Sequence, residues 1–181
     1  MTKNFDALKN IHKIHMIGIG GVSMSGIALI LKKDGFEVTG SDKNYGDMID
    51  TLESNGIPVY IGSNADLVKD ADVVVYTSAI NQHDPEFVRA KSLGIPTYER
   101  AKFLGLLLTS YKMPICICGT HGKTTTTSMI SSIFIDANMD PNVQVGSKYE
   151  KLNNSNYRLG NSDYFILEAC EYVDIFLNFP H

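Results

Sequence analysis

The strongest chemical signal in the sequence is a glycine-bracketed loop between an apolar run and a helical pattern. Residues 119–125 read Gly-Thr-His-Gly-Lys-Thr-Thr and follow the strand-like run 114–118. Backbone N–H groups in such a loop surround phosphate oxygens at the positive end of the helix. Lys123 is placed to neutralise terminal phosphates, and the Thr124 hydroxyl to ligate magnesium. The spacing departs from the standard phosphate-loop pattern, because Ile117 stands where that pattern has its first glycine.

The residues of this loop and one later carboxylate form a predicted ATP–Mg²⁺ site. Glu168 ends the apolar run 164–167, and its carboxylate is a hard oxygen ligand that suits Mg²⁺ together with Thr124. His121 lies inside the loop and is, with Lys123, a candidate catalytic residue. The predicted ATP-binding residues are Gly119, Thr120, His121, Gly122, Lys123, Thr124 and Thr125.

A second glycine loop, 18–23, follows the first strand-like run and opens the first helical pattern. The dinucleotide fingerprint has a third glycine where Ser23 stands, and Asp42 occupies the usual position of its ribose-binding acid. The pattern is compatible with nicotinamide binding, with a turn for close helix–strand packing, or with the diphosphate of a sugar nucleotide. The second, ATP-like loop favours the sugar nucleotide, because a dehydrogenase has no need of it.

Strand and helix signals alternate along the chain, which predicts a parallel α/β fold. We expect a Rossmann-like parallel-sheet domain over 1–108, followed by part of a P-loop ATPase domain over 109–181. In the second domain, 146–161 is polar and weakly patterned, leaving two clear strands and one helix, too few to close a core. The chain ends without a terminating element and looks cut short. The expected strands are 13–18, 37–40, 59–61, 71–76, 95–98, 114–118 and 164–167, and the expected helices are 24–33, 47–55, 85–93, 99–108 and 123–138.

Composition excludes several classes of protein. A net charge of −4 without a basic stripe argues against nucleic-acid binding. The polar N-terminus, 1–10, lacks an apolar signal core, and the run 15–31 is broken by glycines and serines, so no membrane span is predicted. Cys116 and Cys118 are predicted to be small buried hydrophobes of one strand, which disfavours zinc and indicates a reducing, cytoplasmic setting.

Five blocks of sequence together resemble the Mur ligases of bacterial cell-wall synthesis. In family order they are 15–28 (His-Met-Ile-Gly-Ile-Gly-Gly-Val-Ser-Met-Ser-Gly-Ile-Ala), 38–42, 76–80, 119–125 and 168–171. The resemblance implies a three-domain enzyme, of which this chain carries the UDP-sugar domain and the opening of the central ATPase domain. Ser23 replaces a frequent glycine, and Cys170 replaces a frequent aspartate beside Glu171.

The resemblance also implies an activity: ATP-dependent joining of L-alanine to the carboxylate of UDP-N-acetylmuramate through an acyl phosphate. The cofactors would be ATP and Mg²⁺, and residues 1–181 alone are expected to bind without turnover. The implied UDP-sugar-binding residues are Gly20, Gly21, Val22, Ser23, Asp42 and Ser78, of which Ser78 is equally well explained as a strand-end cap.

Two other activities remain open at this point. A murein-peptide recycling ligase acts on the same sugar nucleotide, and its amino-acid choice lies mainly outside this sequence. A NAD-dependent oxidoreductase would account for the loop 18–23 and for Asp42, but not for the loop 119–125.

Overall fold

The computed structural model describes residues 8–169, which fall into two compact units. The first unit is Lys9–Phe103, and the second begins at Leu104 and includes Leu8. Cys170, Glu171 and the predicted unterminated chain end lie outside the described residues. The functional boundary between 108 and 109 stays a prediction.

The first unit contains a five-stranded, fully parallel sheet in the order β3-β2-β1-β4-β5. This order, with helices between the strands, confirms the predicted α/β, Rossmann-like fold. Its elements are β1 (Lys13–Ile17), α1 (Val22–Lys33), β2 (Glu37–Asp42), α2 (Asp47–Ser54), β3 (Val59–Ile61), a 3₁₀ turn (Ala65–Val68), β4 (Val73–Tyr76), α3 (Pro85–Ser92) and β5 (Thr97–Glu99), and α4 (Arg100–Leu108) begins at its end.

The order of the strands decides where a ligand can bind in this unit. The chain proceeds outward from β1 through β2 to β3, then returns to β4 on the other side of β1. Between β1 and β4 the loops at the carboxyl ends therefore diverge and leave a crevice, the usual ligand position in open α/β sheets. Ile17 of β1, Val74 of β4 and Ala90 of α3 lie in one buried cluster, which packs α3 against the sheet.

The second unit contains a four-stranded mixed sheet in the order β6-β9-β7-β8. β6 and β7 each pair in parallel with β9, and β8 runs antiparallel to β7. The new elements are β6 (Met113–Ile117), α5 (Lys123–Asp136), β7 (Asn142–Tyr149), β8 (Ser155–Arg158) and β9 (Tyr164–Glu168). Because β6 lies next to β9, the loop after β6 and the end of β9 meet at one edge of this sheet.

The prediction that 146–161 forms no regular element was wrong. β7 extends to Tyr149, and β8 returns beside it as an antiparallel hairpin. Asn153 and Asn154 both have a φ of +57°, so these two asparagines belong to the turn of this hairpin. The expectation that the unit cannot close a core was wrong as well, because Val143, Val145, Leu152 and Ile166 form a buried cluster.

The prediction that Cys116 and Cys118 are both buried strand residues was also wrong. β6 ends at Ile117, and the chain then turns into the glycine loop, which leaves Cys118 exposed. Cys116 is half-buried, and burial, followed by the nearby Cys118, raises the pKa of its thiol to about 11. Cys116 is therefore a protonated thiol at neutral pH.

The helices of the described part of the chain are short compared with a membrane-spanning helix. The longest helices, α5 and α1, have 14 and 12 residues, whereas crossing a bilayer takes roughly 20 apolar residues. None of the helices within residues 8–169 is long and apolar enough to cross a membrane.

Asp72 joins the start of β4 to the start of β1, and it should make the first unit sensitive to acid. Its carboxylate accepts the amides of Lys13 and His12 at 2.8 and 2.7 Å, which lowers its pKa below the ordinary 3.8. A lowered folded-state pKa adds stability above the ordinary value, and this stability is lost as the pH falls through the folded value. Because Asp72 is exposed, screening keeps the contribution below about 1 kcal/mol.

Urea unfolding of the wild type and of Asp72→Asn at a series of pH values measures this contribution. We expect the stability difference between the two proteins to be largest above about pH 4 and to shrink below it. Asp70→Asn, which alters a neighbouring exposed carboxylate, is the matched control. A difference between wild type and Asp72→Asn that stays constant down to pH 2 would contradict the assignment.

Candidate functional site

A cleft of about 260 Å³ lies at the carboxyl edge of the first sheet, at the predicted crevice. Its walls come from the ends of the four neighbouring strands β3, β2, β1 and β4 and from the turn before α3. The lining includes Gly18, Gly21, Ser41, Asp42, Thr77 and Asp84. The lining combines backbone amides, hydroxyls and carboxylates, so the cleft is suited to a polar ligand with phosphate and sugar groups.

The glycine loop is fixed to the end of β2 by its backbone. The amides of Gly18 and Ile19 both donate to the carbonyl oxygen of Ser41, at 2.8 and 3.0 Å. The amide of Gly20 donates to Oδ2 of Asp42 at 2.9 Å, and a Cβ at Gly20 would lie 2.9 Å from that same oxygen. A larger residue at position 20 would displace the Asp42 carboxylate from this position.

Asp42 lies beside the loop, and its carboxylate is engaged with the backbone. Oδ1 accepts the amide of Asn44 at 3.2 Å, while Oδ2 accepts Gly20. A carboxylate has about four lone-pair sites, so two acceptor positions remain for a ligand hydroxyl. The role of Asp42 toward ribose or uracil stays a prediction.

The N-terminus of α1 borders the cleft through Gly21, and it has no side-chain cap. Gly21 is the N-cap residue and, having no side chain, makes no cap hydrogen bond. Val22 is 48% exposed at the first helical position, and Ser23 follows it. The positive end of a helix dipole at this place suits the negative charge of a diphosphate.

Arg100 was missed by the sequence reasoning. It is the first residue of α4, and its Nη1 donates to Oγ of Ser23 at 2.9 Å, across 77 positions of sequence. A guanidinium near the positive end of α1 is electrostatically unfavourable unless an anion lies between them. The available signal was its place in the first turn of the expected helix 99–108, where a cation is disfavoured unless an anion is bound nearby.

Not every residue implied for the sugar nucleotide lies in the cleft. Gly21 and Asp42 line it, and Gly20 contacts it through Asp42. Ser78 is exposed and is not among the lining residues, whereas its neighbours Thr77 and Ala79 are. Lys43 and Asn44 also line the cleft and were missed; their position directly after β2 was the available signal, because strand ends meet at this edge.

In the second unit, the loop between β6 and α5 has the backbone that phosphate binding requires. Gly119 has a φ of +149° and Gly122 a φ of +77°, conformations that side-chain-bearing residues rarely adopt. Gly122 is the N-cap of α5, without a side-chain cap bond. Lys123 opens the helix, and its Nζ donates to the carbonyl of Gly119 at 2.5 Å. The ammonium group thus lies directly over the loop.

The predicted metal ligands Thr124 and Glu168 are in contact. Oγ1 of Thr124 donates to Oε1 of Glu168 at 2.7 Å, and the amide of Gly146 donates to Oε2 at 2.6 Å. A hydroxyl and a carboxylate oxygen are the donors that Mg²⁺ prefers, and it usually retains waters and phosphate oxygens as its other ligands. Within residues 8–169 no three His, Cys, Asp or Glu side chains cluster as a metal site.

The remaining loop residues are accessible. Thr120, His121 and Thr125 are exposed, and the His121 ring nitrogen Nδ1 lies 3.3 Å from the hydroxyl of Thr120. The catalytic assignment of His121 stays a prediction.

Comparison with known proteins gives a consistent result for both units. The family model described as "Mur ligase family, catalytic domain" matches residues 13–112. The UDP-N-acetylmuramate–L-alanine ligase of Clostridium novyi is 50% identical over 177 residues, which are 97% of this chain and 38% of that protein. The ligase of the same name from Clostridium tetani is 48% identical over 176 residues, again 97% and 38%. The chain thus spans about two fifths of the length of these relatives.

Solved structures are similar at the level of the fold. The UDP-N-acetylmuramate-alanine ligase of Thermotoga maritima superposes with a TM-score of 0.80 at 34% identity, over 86% of this chain and 36% of that one. The UDP-N-acetylmuramate:L-alanyl-gamma-D-glutamyl-meso-diaminopimelate ligase of Neisseria meningitides gives the same TM-score and identity, over 90% and 53%. Since the family model alone covers more than half of the residues, this chain belongs to the Mur ligase family.

Proposed function

We propose that this chain is the sugar-nucleotide and ATP-binding part of an ATP-dependent ligase that joins L-alanine to the carboxylate of UDP-N-acetylmuramate. The observation that carries the proposal is the presence of two phosphate-type loops, one per unit, in a chain of the Mur ligase family. The names of the relatives from the two Clostridium species supply the substrates. Nucleotide-activated sugar and ATP as substrates are consistent with a cytoplasmic location and with peptidoglycan precursor synthesis.

The cleft of the first unit would hold the UDP-sugar. The start of α1 and the Arg100 guanidinium supply positive potential for the diphosphate. Asp42 and the hydroxyl of Thr77 offer acceptors and a donor for the nucleoside or sugar hydroxyls. By binding the UDP end of the substrate, these groups would hold the muramic acid carboxylate in place for the reaction.

The loop of the second unit would hold ATP. Phosphoryl transfer depends mainly on positioning and charge neutralisation, which the loop backbone and the Lys123 ammonium provide. Bound Mg²⁺, held by Thr124 and Glu168, would supply further charge neutralisation at the β- and γ-phosphates. The loop residues orient the γ-phosphate for transfer.

The reaction proceeds in two displacements. A carboxylate oxygen of the muramic acid attacks the γ-phosphorus, the bond from that phosphorus to the ADP oxygen breaks, and an acyl phosphate forms. The amine of L-alanine then attacks the acyl carbon, the bond to the phosphate oxygen breaks, and inorganic phosphate leaves while the nitrogen loses a proton. Lys123 neutralises charge in the first displacement.

Calorimetric titration of residues 1–181 with UDP-N-acetylmuramate, ATP and NAD tests the proposal. We expect the first two to bind and NAD not to bind, and no ligation by this part alone. NAD binding without UDP-N-acetylmuramate binding would contradict the proposal and favour an oxidoreductase.

A second candidate within the same class is a ligase that attaches a whole peptide to the same sugar nucleotide. It is supported by the equally good superposition on the Neisseria meningitides ligase. Activity measurements on the complete enzyme with L-alanine and with L-alanyl-γ-D-glutamyl-meso-diaminopimelate as alternative acceptors separate the two.

The proposed UDP-sugar site makes a testable prediction about Arg100. If its guanidinium binds the diphosphate together with the start of α1, Arg100→Ala should weaken UDP-N-acetylmuramate binding by about tenfold at low salt, and by less at high salt, because ions screen the attraction. Calorimetry at two ionic strengths measures both effects.

The matched control for Arg100 is Arg89→Ala, which removes an arginine from the last turn of α3 in the same unit. Its affinity for UDP-N-acetylmuramate should stay within about twofold of the wild type. An equal loss of affinity in the two variants would show a general charge effect and contradict a specific contact.

A further inference from the structure

Glu86 is a fully buried carboxylate that receives three hydrogen bonds from three different segments. Its exposed fraction is 0%. Oε2 accepts from Nε2 of His15 on β1 at 2.9 Å and from Oγ of Ser41 on β2 at 2.7 Å. Oε1 accepts from the amide of Asn64, after β3, at 2.9 Å. One side chain on α3 therefore connects β1, β2 and the segment after β3.

Ser41 extends this network directly to the glycine loop. Its hydroxyl is bound by Glu86, and its carbonyl oxygen accepts the amides of Gly18 and Ile19. A change in the backbone torsion angles of Ser41 would move the carbonyl oxygen to which the loop amides are bonded. The position of the loop amides therefore depends on a carboxylate that does not itself line the cleft.

A second branch holds the opposite wall. Asp84 caps α3 through the amides of Glu86 and Phe87, and its Oδ1 also accepts the hydroxyl of Ser63 at 3.0 Å. Together with the bond from Asn64 to Glu86, this fixes the turn that follows β3. Asp84 lines the cleft, as does Gly62 of that turn, so both walls are held by the start of α3.

The carboxylate is held in its charged form. Burial by itself would raise the pKa of Glu86, but the hydrogen bonds from His15, Ser41 and Asn64 outweigh burial and lower the pKa below its ordinary value of 4.5. His15 is oriented in turn by Thr39, whose Oγ1 lies 2.9 Å from Nδ1. An acceptor-only group surrounded by three donors has no good neutral substitute, because a glutamine amide would point a donor at one of them.

We propose that Glu86 is a positioning residue for the sugar-nucleotide cleft, acting through Ser41 on the glycine loop and through Asn64 on the facing turn. The inference rests on the proposed function, since it concerns the site assigned to UDP-N-acetylmuramate. It predicts that Glu86 sets affinity for the sugar nucleotide while having no influence on the ATP loop of the other unit.

Glu86→Gln tests this, since it keeps the size of the side chain and removes the charge and one acceptor. We expect the Kd for UDP-N-acetylmuramate to rise about tenfold or more, because a displaced loop moves Gly21, the start of α1 and Asp42 out of their places around the ligand. The Kd for ATP, measured by calorimetry on the same protein, should stay within about twofold. Equal loss of affinity for both ligands would contradict the proposal.

A stability-matched control separates positioning from general loosening of the unit. Leu31 is fully buried in the last turn of α1, away from the glycine loop, and Leu31→Val should destabilise by about 1 kcal/mol. Measured well below the unfolding midpoints of all variants, Leu31→Val should keep the wild-type affinity for UDP-N-acetylmuramate. If it loses as much affinity as Glu86→Gln, the positioning role is wrong.

A double-mutant cycle identifies the route through Ser41. If Glu86 acts on the loop through this hydroxyl, Ser41→Ala alone weakens UDP-N-acetylmuramate binding, and the double variant loses less affinity than the sum of the two single losses. Ser41→Ala also supplies the test should Glu86→Gln fail to fold, with wild-type affinity as the contradicting result. If the wild type does not bind UDP-N-acetylmuramate, the proposed function is wrong. If the wild type binds it and the variants bind it with the same affinity, only the positioning role is wrong.

Discussion

Replacing Lys123 by alanine is expected to weaken ATP binding by about 10- to 100-fold, equivalent to about 1.5–3 kcal/mol for a charge-assisted hydrogen bond. Lys123 opens α5, where a cation is disfavoured by the helix dipole. Its Nζ lies 2.5 Å from the carbonyl of Gly119, directly over the loop. A phosphate bound at the loop would make this position of the Lys123 ammonium favourable, because the anion attracts it. Calorimetric titration of Lys123→Ala with ATP measures the loss.

The control for Lys123 is Lys151→Ala in the same unit. Lys151 is exposed and pairs with Asp136 at 2.6 Å, so the control removes an equal charge and an ion pair away from the loop. Its affinity for ATP should match the wild type within about twofold. If Lys123→Ala binds ATP as tightly as Lys151→Ala, the loop is not an ATP site of the kind proposed.

Glu168→Gln is expected to remove most of the gain in ATP affinity that Mg²⁺ confers, an effect of about tenfold or more. Glu168 is at the end of β9, where its two oxygens accept Thr124 and the amide of Gly146. Glutamine keeps the shape but replaces one anionic oxygen by an NH₂ group, which neither ligates Mg²⁺ nor accepts a hydrogen bond. ATP affinity measured with Mg²⁺ and with EDTA, for both proteins, gives the gain.

Two outcomes distinguish a magnesium role of Glu168 from a structural one. Glu150→Gln, at an exposed carboxylate of the same unit, should retain the full gain in affinity from Mg²⁺. In Glu168→Gln the affinity in EDTA should be close to that of the wild type in EDTA. An unchanged gain in Glu168→Gln would contradict the metal assignment, and an equal loss in EDTA would show that the carboxylate only supports the loop.

The two phosphate-type loops were predictable from sequence because each is a local structure. The run 114–118, the glycines and Lys123 follow one another in the chain, and the structure reproduces strand, loop and helix within a few residues. The same holds for the first loop, where β1 and α1 lie on either side of Gly18–Gly21. Apolar runs and glycine positions suffice here because their effect on the backbone is local.

The β7–β8 hairpin was missed because its signal is not local. Polar and apolar residues alternate only over 142–145, and the other half of β7, toward the turn, reads Gly-Ser-Lys-Tyr and is exposed or half-buried, so the strand signal in the sequence is short. What stabilises the strand is its pairing with β9 and β8, and pairing partners cannot be read from a single segment.

The sequence by itself determined the chemistry of the chain: two glycine loops, a lysine and a threonine at the start of a helix, an aspartate and a glutamate at strand ends, and the family to which they belong. Only the tertiary structure decided what holds these groups in place. Glu86 meets His15 across 71 positions of sequence and Arg100 meets Ser23 across 77. Such contacts depend on the strand order β3-β2-β1-β4-β5, and this order is set by the packing of the whole sheet, which no local pattern encodes.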